Sequence, residues 1–264
     1  MYHIFEVWSA GAQGARMTAL TTAGLVGLMI LTALLSGVFG MAGGLILIGV
    51  LLVLMPLPQA MVLHAITQMA SNGWRAVLWR RHIEWKIAAA SVAGSLAAVG
   101  LWSAWLWVPD KALALLLLGV SPFIVRGIPA RVLPRVLGPG TMLVGSAVCM
   151  MLMLTAGVTG PLLDTLFLRS TLDRKRIIAT KAACQLFSHG LKLVYFGALV
   201  AGAGTVEPWM AGLAIAASML GTSLGKRLLE RLTDASFRLW SNRLVTTIAA
   251  YYIGYGLLLM IDAF

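Results

Sequence analysis

Charge is what this chain has least of. Asp, Glu, Lys and Arg make up only 11% of its 264 residues, and 60% are hydrophobic. An ordinary soluble domain carries about 25% charge, and the deficit here is not spread evenly. No Asp, Glu, Lys, Arg or His occurs from Met17 to Met55 or from Met142 to Leu163. Each stretch can cross about 30 Å of hydrocarbon at about 1.5 Å per helical residue, so a buried helix of a soluble protein is the poorer reading. Acids are scarcer than bases, nine against twenty, and the net charge is +11. The bases sit in short breaks between apolar segments, where they read as topology signals and not as a nucleic-acid surface. Cysteine is nearly missing. Cys149 and Cys184 both lie inside apolar segments, which supports neither a disulfide framework nor a metal site. Also missing are the nucleophile, metal cluster or paired acids that a membrane enzyme would need, so no cofactor and no catalytic residue is expected.

What remains is hydrophobic segments and the breaks between them. Residues 1–16 form a mixed lead, and no convincing small-residue cleavage site follows, so a signal peptide is not expected. Apolar elements are predicted at about 17–36, 43–55, 59–80, 84–106, 110–126, 139–156, 160–170, 173–201, 207–226 and 240–262. Two of them, 43–55 and 160–170, are too short to span unaided, at roughly 17 to 20 Å if helical. Each follows a longer run across a glycine-rich break, Gly37 to Gly44 in one case and Gly157 to Pro161 in the other. Both pairs are therefore predicted to be hairpins that turn within the membrane.

Basic residues set the sides. They cluster at Arg80, Arg81 and Lys86, at Arg126, Arg131 and Arg135, at Arg169, Arg174, Lys175 and Arg176, and from Lys226 and Arg227 through Arg231 and Arg238 to Arg243. All four loops are expected to be cytoplasmic. Both termini then come out extracytoplasmic, with Arg16 the one residue arguing against it. Tryptophans such as Trp79, Trp85, Trp105 and Trp107 flank the same ends, as interfacial anchors do.

The chain also repeats itself. Gly37-Val38-Phe39-Gly40 lies over Gly157-Val158-Thr159-Gly160 at an offset of 120, and Gln68 to Arg75 lies over Gln185 to Lys192 at an offset of 117. The second match has the form Gln-x-x-Ser-(Asn or His)-Gly-x-(Arg or Lys). A third places Ser91, Gly94 and Ser95 over Ser218, Gly221 and Thr222, small residues best read as close helix packing. The predicted fold is an all-α integral membrane protein of two repeats, 17–128 and 139–264. Each repeat is a re-entrant or broken helix hairpin plus three transmembrane helices. An odd number of crossings inverts the second copy, a common plan of secondary transporters.

Gln68 lies ten residues past Pro58, and Gln185 twelve past Asp173, or roughly 15 and 18 Å along a helix, near the middle of a bilayer. Helical spacing puts Gln68, Ser71, Asn72 and Arg75 on one face, and Gln185, Ser188, His189 and Lys192 repeat that stripe. Polar groups in hydrocarbon need partners, so the two stripes are expected to face each other or a hydrated cavity. Two cations, amides and hydroxyls with few acids nearby make an anion site, in which Arg75 would grip two oxygens in a fork and Lys192 act as a point charge. A second reading has Arg75 snorkelling toward Arg80 at the interface. The glycines Gly40, Gly43, Gly157 and Gly160 would bring free backbone groups to the same place. Asp164, the one acid well inside an apolar element, either carries a coupling proton or pairs with Lys181 or Arg169. His64 and His189 are further proton carriers, and His64 falls opposite Lys181 in the repeat.

Taken together, Ser36 to Gly44 followed by Pro56, then Gly157 to Pro161, then Thr180-Lys181-Ala182 leading to Gln185 and Ser188-His189, resemble the TauE/SafE family of sulfite and organosulfonate exporters. The resemblance covers nearly the whole membrane region. It departs at the second hairpin, where Thr159 and Pro161 stand in place of a denser glycine cluster. It implies a prokaryotic inner-membrane permease that moves sulfite, sulfoacetate or related anions outward, linked to the proton gradient. The partners it implies are a small anion and the lipid bilayer, with no nucleic acid and a homo-oligomer left open. An anion channel, or a carrier of other small organic anions such as carboxylates, is the alternative.

Overall fold

In hydrocarbon no water satisfies the peptide group, so apolar segments close their own hydrogen bonds as helices. The computed structural model describes residues 19–39, 42–129, 137–157, 159–168, 170–200, 206–229 and 234–261. Among them every regular element is helical. The α-helices are α1 (Ala19–Phe39), α2 (Ala42–Leu54), α3 (Leu57–Leu78), α4 (Trp85–Ser103), α5 (Lys111–Gly127), α6 (Pro139–Ala156), α7 (Gly160–Leu168), α8 (Arg174–Val194), α9 (Pro208–Leu229) and α10 (Asp234–Ile261). The expected lead of residues 1–16, together with Gly40, Arg131, Arg135, Arg169 and Arg231, lies outside the described residues.

Local chemistry accounts for several helix ends. Asp110 caps α5 by accepting from Leu113 N at 2.8 Å. Asp173 caps α8 by accepting from Lys175 N and Arg176 N. Those bonds, that from Arg176 first, hold the Asp173 carboxyl below the usual carboxylate range. Prolines stand in the first turns of α3 and α6, and Gly157 ends α6 in the left-handed conformation at φ 82°. Among the described residues, four helical stretches are long and apolar enough to cross a membrane: Ala19–Val38, Trp85–Ser103, Pro139–Ala156 and Asn242–Ile261. The 13 residues of α2 and nine of α7 reach only about 20 and 14 Å.

Three boundaries differ from the expected ones. Helix α1 runs on through Gly37 to Phe39, where a break was predicted. Gly37 serves there as a contact, since a Cβ on it would lie 3.2 Å from the Cα of Gly225 in α9. Helix α8 stops at Val194 and opens into a π-turn over Tyr195–Leu199, with Tyr195 OH donating to Trp107 O at 3.1 Å. The α4 helix stops at Ser103, one residue past Trp102, whose ring meets that of Trp107 edge to face at 5.8 Å.

The most extensive packing is between α1 and α9, α4 and α6, α3 and α8, and α5 and α10. Small residues let these backbones approach. A Cβ on Gly94 would strike the carbonyl of Leu143 in α6, and one on Gly221 would strike the carbonyl of Ile30 in α1. Ser91 and Ser146 share a 2.7 Å hydrogen bond at the first of these contacts. Since Gly221 meets Ile30 and Leu34 while Gly225 meets Leu34 and Gly37, α1 and α9 run parallel.

Among the described residues, one end of the bundle is basic. At the basic end the Trp79 ring carries Lys226 at 5.2 Å and Lys175 at 5.9 Å, and Arg176 pairs with Glu84 at 2.7 Å. Glu84 N also donates to Thr180 Oγ1, and Arg126 donates to Thr246 Oγ1 in α10 at 2.7 Å. Trp79 thus brings basic residues of the third and fourth loops against the end of α3. The outer faces of the helices expose large apolar side chains, among them Leu20, Val148, Ile215 and Ile261, as a lipid-facing surface does.

Candidate functional site

All eight residues of the two polar stripes are buried. Arg75 is only 8% exposed and donates from Nη1 to Asn72 Oδ1 at 3.1 Å, so it stays within the bundle and does not reach out to the interface. Asn72 in turn donates to Gln68 O at 2.9 Å. Ser71 bonds Thr222 Oγ1 of α9 at 2.7 Å, and the Gln68 amide lies against Gly44 of α2.

The α3–α8 crossing itself is apolar. Gly73 faces Leu186, and Gly190 faces Met69. Both glycines and both apolar residues are equivalent under the 117-residue offset, so the contact is reciprocal. Around this crossing the polar positions fall into two groups.

The first surrounds Lys192, which is fully buried. Its Nζ lies 2.6 Å from His64 Nδ1 and donates to Gly157 O at 3.1 Å. His64 Nε2 stands 3.1 Å from Gly44 O. A carbonyl only accepts, so His64 carries its proton on Nε2 and offers Nδ1 as acceptor to the lysine. The His189 ring meets that of His64 edge to face at 5.4 Å, and its Nδ1 is buried without a partner.

The second group surrounds Arg75. Its Nη2 is buried without a partner, and the adjacent Ala76 shares a core cluster with Leu163 and Ala182, the neighbours of Asp164 and Lys181. Asp164 is itself joined to Lys181 at 2.5 Å, which is the ion pair expected as one of two alternatives. The two cationic tips do not share a level. Lys192 sits beside His64, and Arg75 beside Asn72, eight residues further along α3, a rise of about 12 Å.

The hairpin glycines take different parts. A Cβ on Gly43 would collide with Thr32 O and Ser36 Oγ, so this glycine lets α1 and α2 pack. Gly157 supplies both a left-handed turn and the carbonyl for Lys192. Gly160 begins α7 and is buried. Gly40 lies outside the described residues.

The model of the sulfite exporter TauE/SafE family matches residues 25–252. The chain belongs to that family. Leu25 lies early in α1 and Tyr252 late in α10, so the TauE/SafE match takes in both hairpins and both polar helices. No curated protein and no solved structure matches the chain. Gln185 and Ser188 of this TauE/SafE chain are buried as well.

Sequence reasoning placed Gly44 in the first glycine break and Thr222 on a packing face, and missed their contacts with His64 and Ser71 and the contact between Lys192 and His64. A signal for the first was available: the two offsets lay Gly44 over Asp164 and His64 over Lys181. The bond between His64 and Gly44 is then the counterpart of the Asp164–Lys181 ion pair.

Proposed function

We propose that this chain is a secondary transporter that exports small sulfur-containing anions, sulfite or organosulfonates such as sulfoacetate, across a prokaryotic inner membrane by alternating access. The observation that carries the reading is the charge of the bundle interior. Arg75, Lys181 and Lys192 are drawn in among the polar helices, and among the described residues only Asp164 answers them there. An excess of buried positive charge beside an unpartnered guanidinium nitrogen suits an anion that arrives and leaves.

Alternating access draws support from the packing. Exchanging α1–α5 for α6–α10 in order turns the α1–α9 pair into α6–α4 and the α3–α9 pair into α8–α4. The α3–α8 and α5–α10 pairs are left in place. That is what two equivalent halves, 17–128 and 139–264, require. The hairpins support an inverted relation. Helix α1 ends beside Gly225, one residue before Lys226 at the basic end, whereas Gly157 abuts Met61 and Ile48 toward the far end. With the basic end cytoplasmic, both termini are extracytoplasmic, and one hairpin enters from each side. The anion contacts the stripes Gln68 to Arg75 and Gln185 to Lys192, and Asp164, His64 and Lys181 are the groups available for proton coupling.

Flux of labelled sulfite and sulfoacetate into proteoliposomes, with and without a pH gradient, tests this. Saturable uptake that responds to the gradient is expected. Flux that rises linearly with concentration would make the protein a channel, and no flux of either anion would remove the substrate class.

A further inference from the structure

The repeat has a consequence for how many anions the site holds. A binding place on a two-fold axis occurs once, but a place off the axis occurs twice. Here the centre of the α3–α8 crossing is taken by Met69 and Leu186 against Gly190 and Gly73. The cations lie off it, on either side.

We propose that the chain binds substrate anions at two stations, one in each half of the membrane, about 12 Å apart along α3. The inner station is built on Arg75 and Asn72, the outer on Lys192, His189 and His64. This rests on the transport reading above and specifies its site.

The two stations correspond residue by residue. The offset of 117 carries Asn72 to His189 and Arg75 to Lys192, and likewise His64 to Lys181. Each station therefore takes its cation and a neighbouring polar side chain from one helix, and a third titratable group from the other. At the outer station that third group is His64, held in place by Gly44 O. At the inner station it is Lys181, neutralised by Asp164, so that the charge of Arg75 remains for an anion. Each station also keeps one buried polar atom without a partner: Arg75 Nη2 at the inner, His189 Nδ1 at the outer. A guanidinium nitrogen only donates, and an anion oxygen is the acceptor it lacks. His189 Nδ1 can donate to the same kind of oxygen. Lys192 has used two of its donors, on His64 and Gly157. Its third is free to turn toward an anion beside His189.

Neither station can serve the other's anion. A sulfite or sulfonate head is about the width of one bidentate contact, with oxygens reached at about 2.7–2.9 Å, and the stations are several times that far apart. The anion instead passes from one cation to the other as the hairpins move.

Equilibrium dialysis of radiolabelled sulfite against the purified full chain in nanodiscs tests the proposal. Wild type is expected to bind two anions per chain at saturation. Arg75→Gln and Lys192→Gln should each bind one, and the double variant none. A single anion per wild-type chain, lost in either variant, would overturn the two-station arrangement and leave the transport reading standing. Wild-type binding retained in both variants, or no binding by wild type, would instead overturn the proposed site and the reading built on it. If a variant fails to fold, the wild-type stoichiometry decides alone, and Arg75→Lys and Lys192→Arg should each restore the second anion.

Discussion

Lys192 places its ammonium 2.6 Å from Nδ1 of His64, across 128 residues of sequence, and both side chains are wholly buried. The contact joins α8 to α3, and through Gly44 and Gly157 it also joins the two hairpin breaks. His64→Ala removes the acceptor and leaves a buried ammonium short of one partner. A hydrogen bond of that kind is worth about 1.5–3 kcal/mol. The variant should melt at a lower temperature than wild type in detergent, and His64→Gln, which keeps an acceptor, should recover part of the difference. Equal melting of wild type and His64→Ala would show that the contact carries no stability.

Asp164 and Lys181 should behave as a unit. Asp164→Asn strands a mostly buried lysine, and breaking such a pair from one side costs about 3–5 kcal/mol. Asp164→Asn combined with Lys181→Gln removes both charges and should regain most of that loss in the same melting assay. If the double variant is as unstable as the single one, the pair has no mutual energy. Flux in the double variant also separates roles, because a coupling proton on Asp164 predicts that flux no longer responds to a pH gradient.

Helix approach gives a sharper contrast. Gly94 and Gly221 each face a backbone carbonyl that a Cβ would strike, whereas nothing lies within 4 Å of a Cβ at Gly212. Gly94→Ala and Gly221→Ala should each destabilise by about 1–3 kcal/mol through overpacking, read as a fall in melting temperature. Gly212→Ala should be neutral or slightly stabilising. Three equal effects would mean that backbone freedom matters here and close approach does not.

The sides of the membrane can be tested with single cysteines. Arg81→Cys and Lys175→Cys, at the basic end, should react with an impermeant maleimide only in inside-out vesicles. Trp105→Cys and Glu207→Cys should react in intact cells. The reverse pattern would turn the whole assignment over while leaving the two halves intact.

The helices themselves were legible. Apolar length and the absence of charge within each run are local properties, and α2, α6 and α7 begin within a residue of where hydropathy puts them. The polar stripes were legible for the same reason, since helical spacing alone places Gln68, Ser71, Asn72 and Arg75 on one face. Where an end depends on another helix, prediction drifted. Gly37 read as a break because glycine is a poor helix former, but the backbone of Gly225 packs there and keeps it helical.

What the chain alone determined is therefore the membrane class, the order of elements and the charged and polar residues that the helices bury. Only the tertiary structure decided which of those residues meet. Lys192 stands beside His64, a contact that no spacing within α8 announces. The physical reason is the crossing of α3 and α8, set by Gly73 against Leu186 and Gly190 against Met69. A crossing fixes the level of every side chain along both helices, and no pattern within either helix contains it.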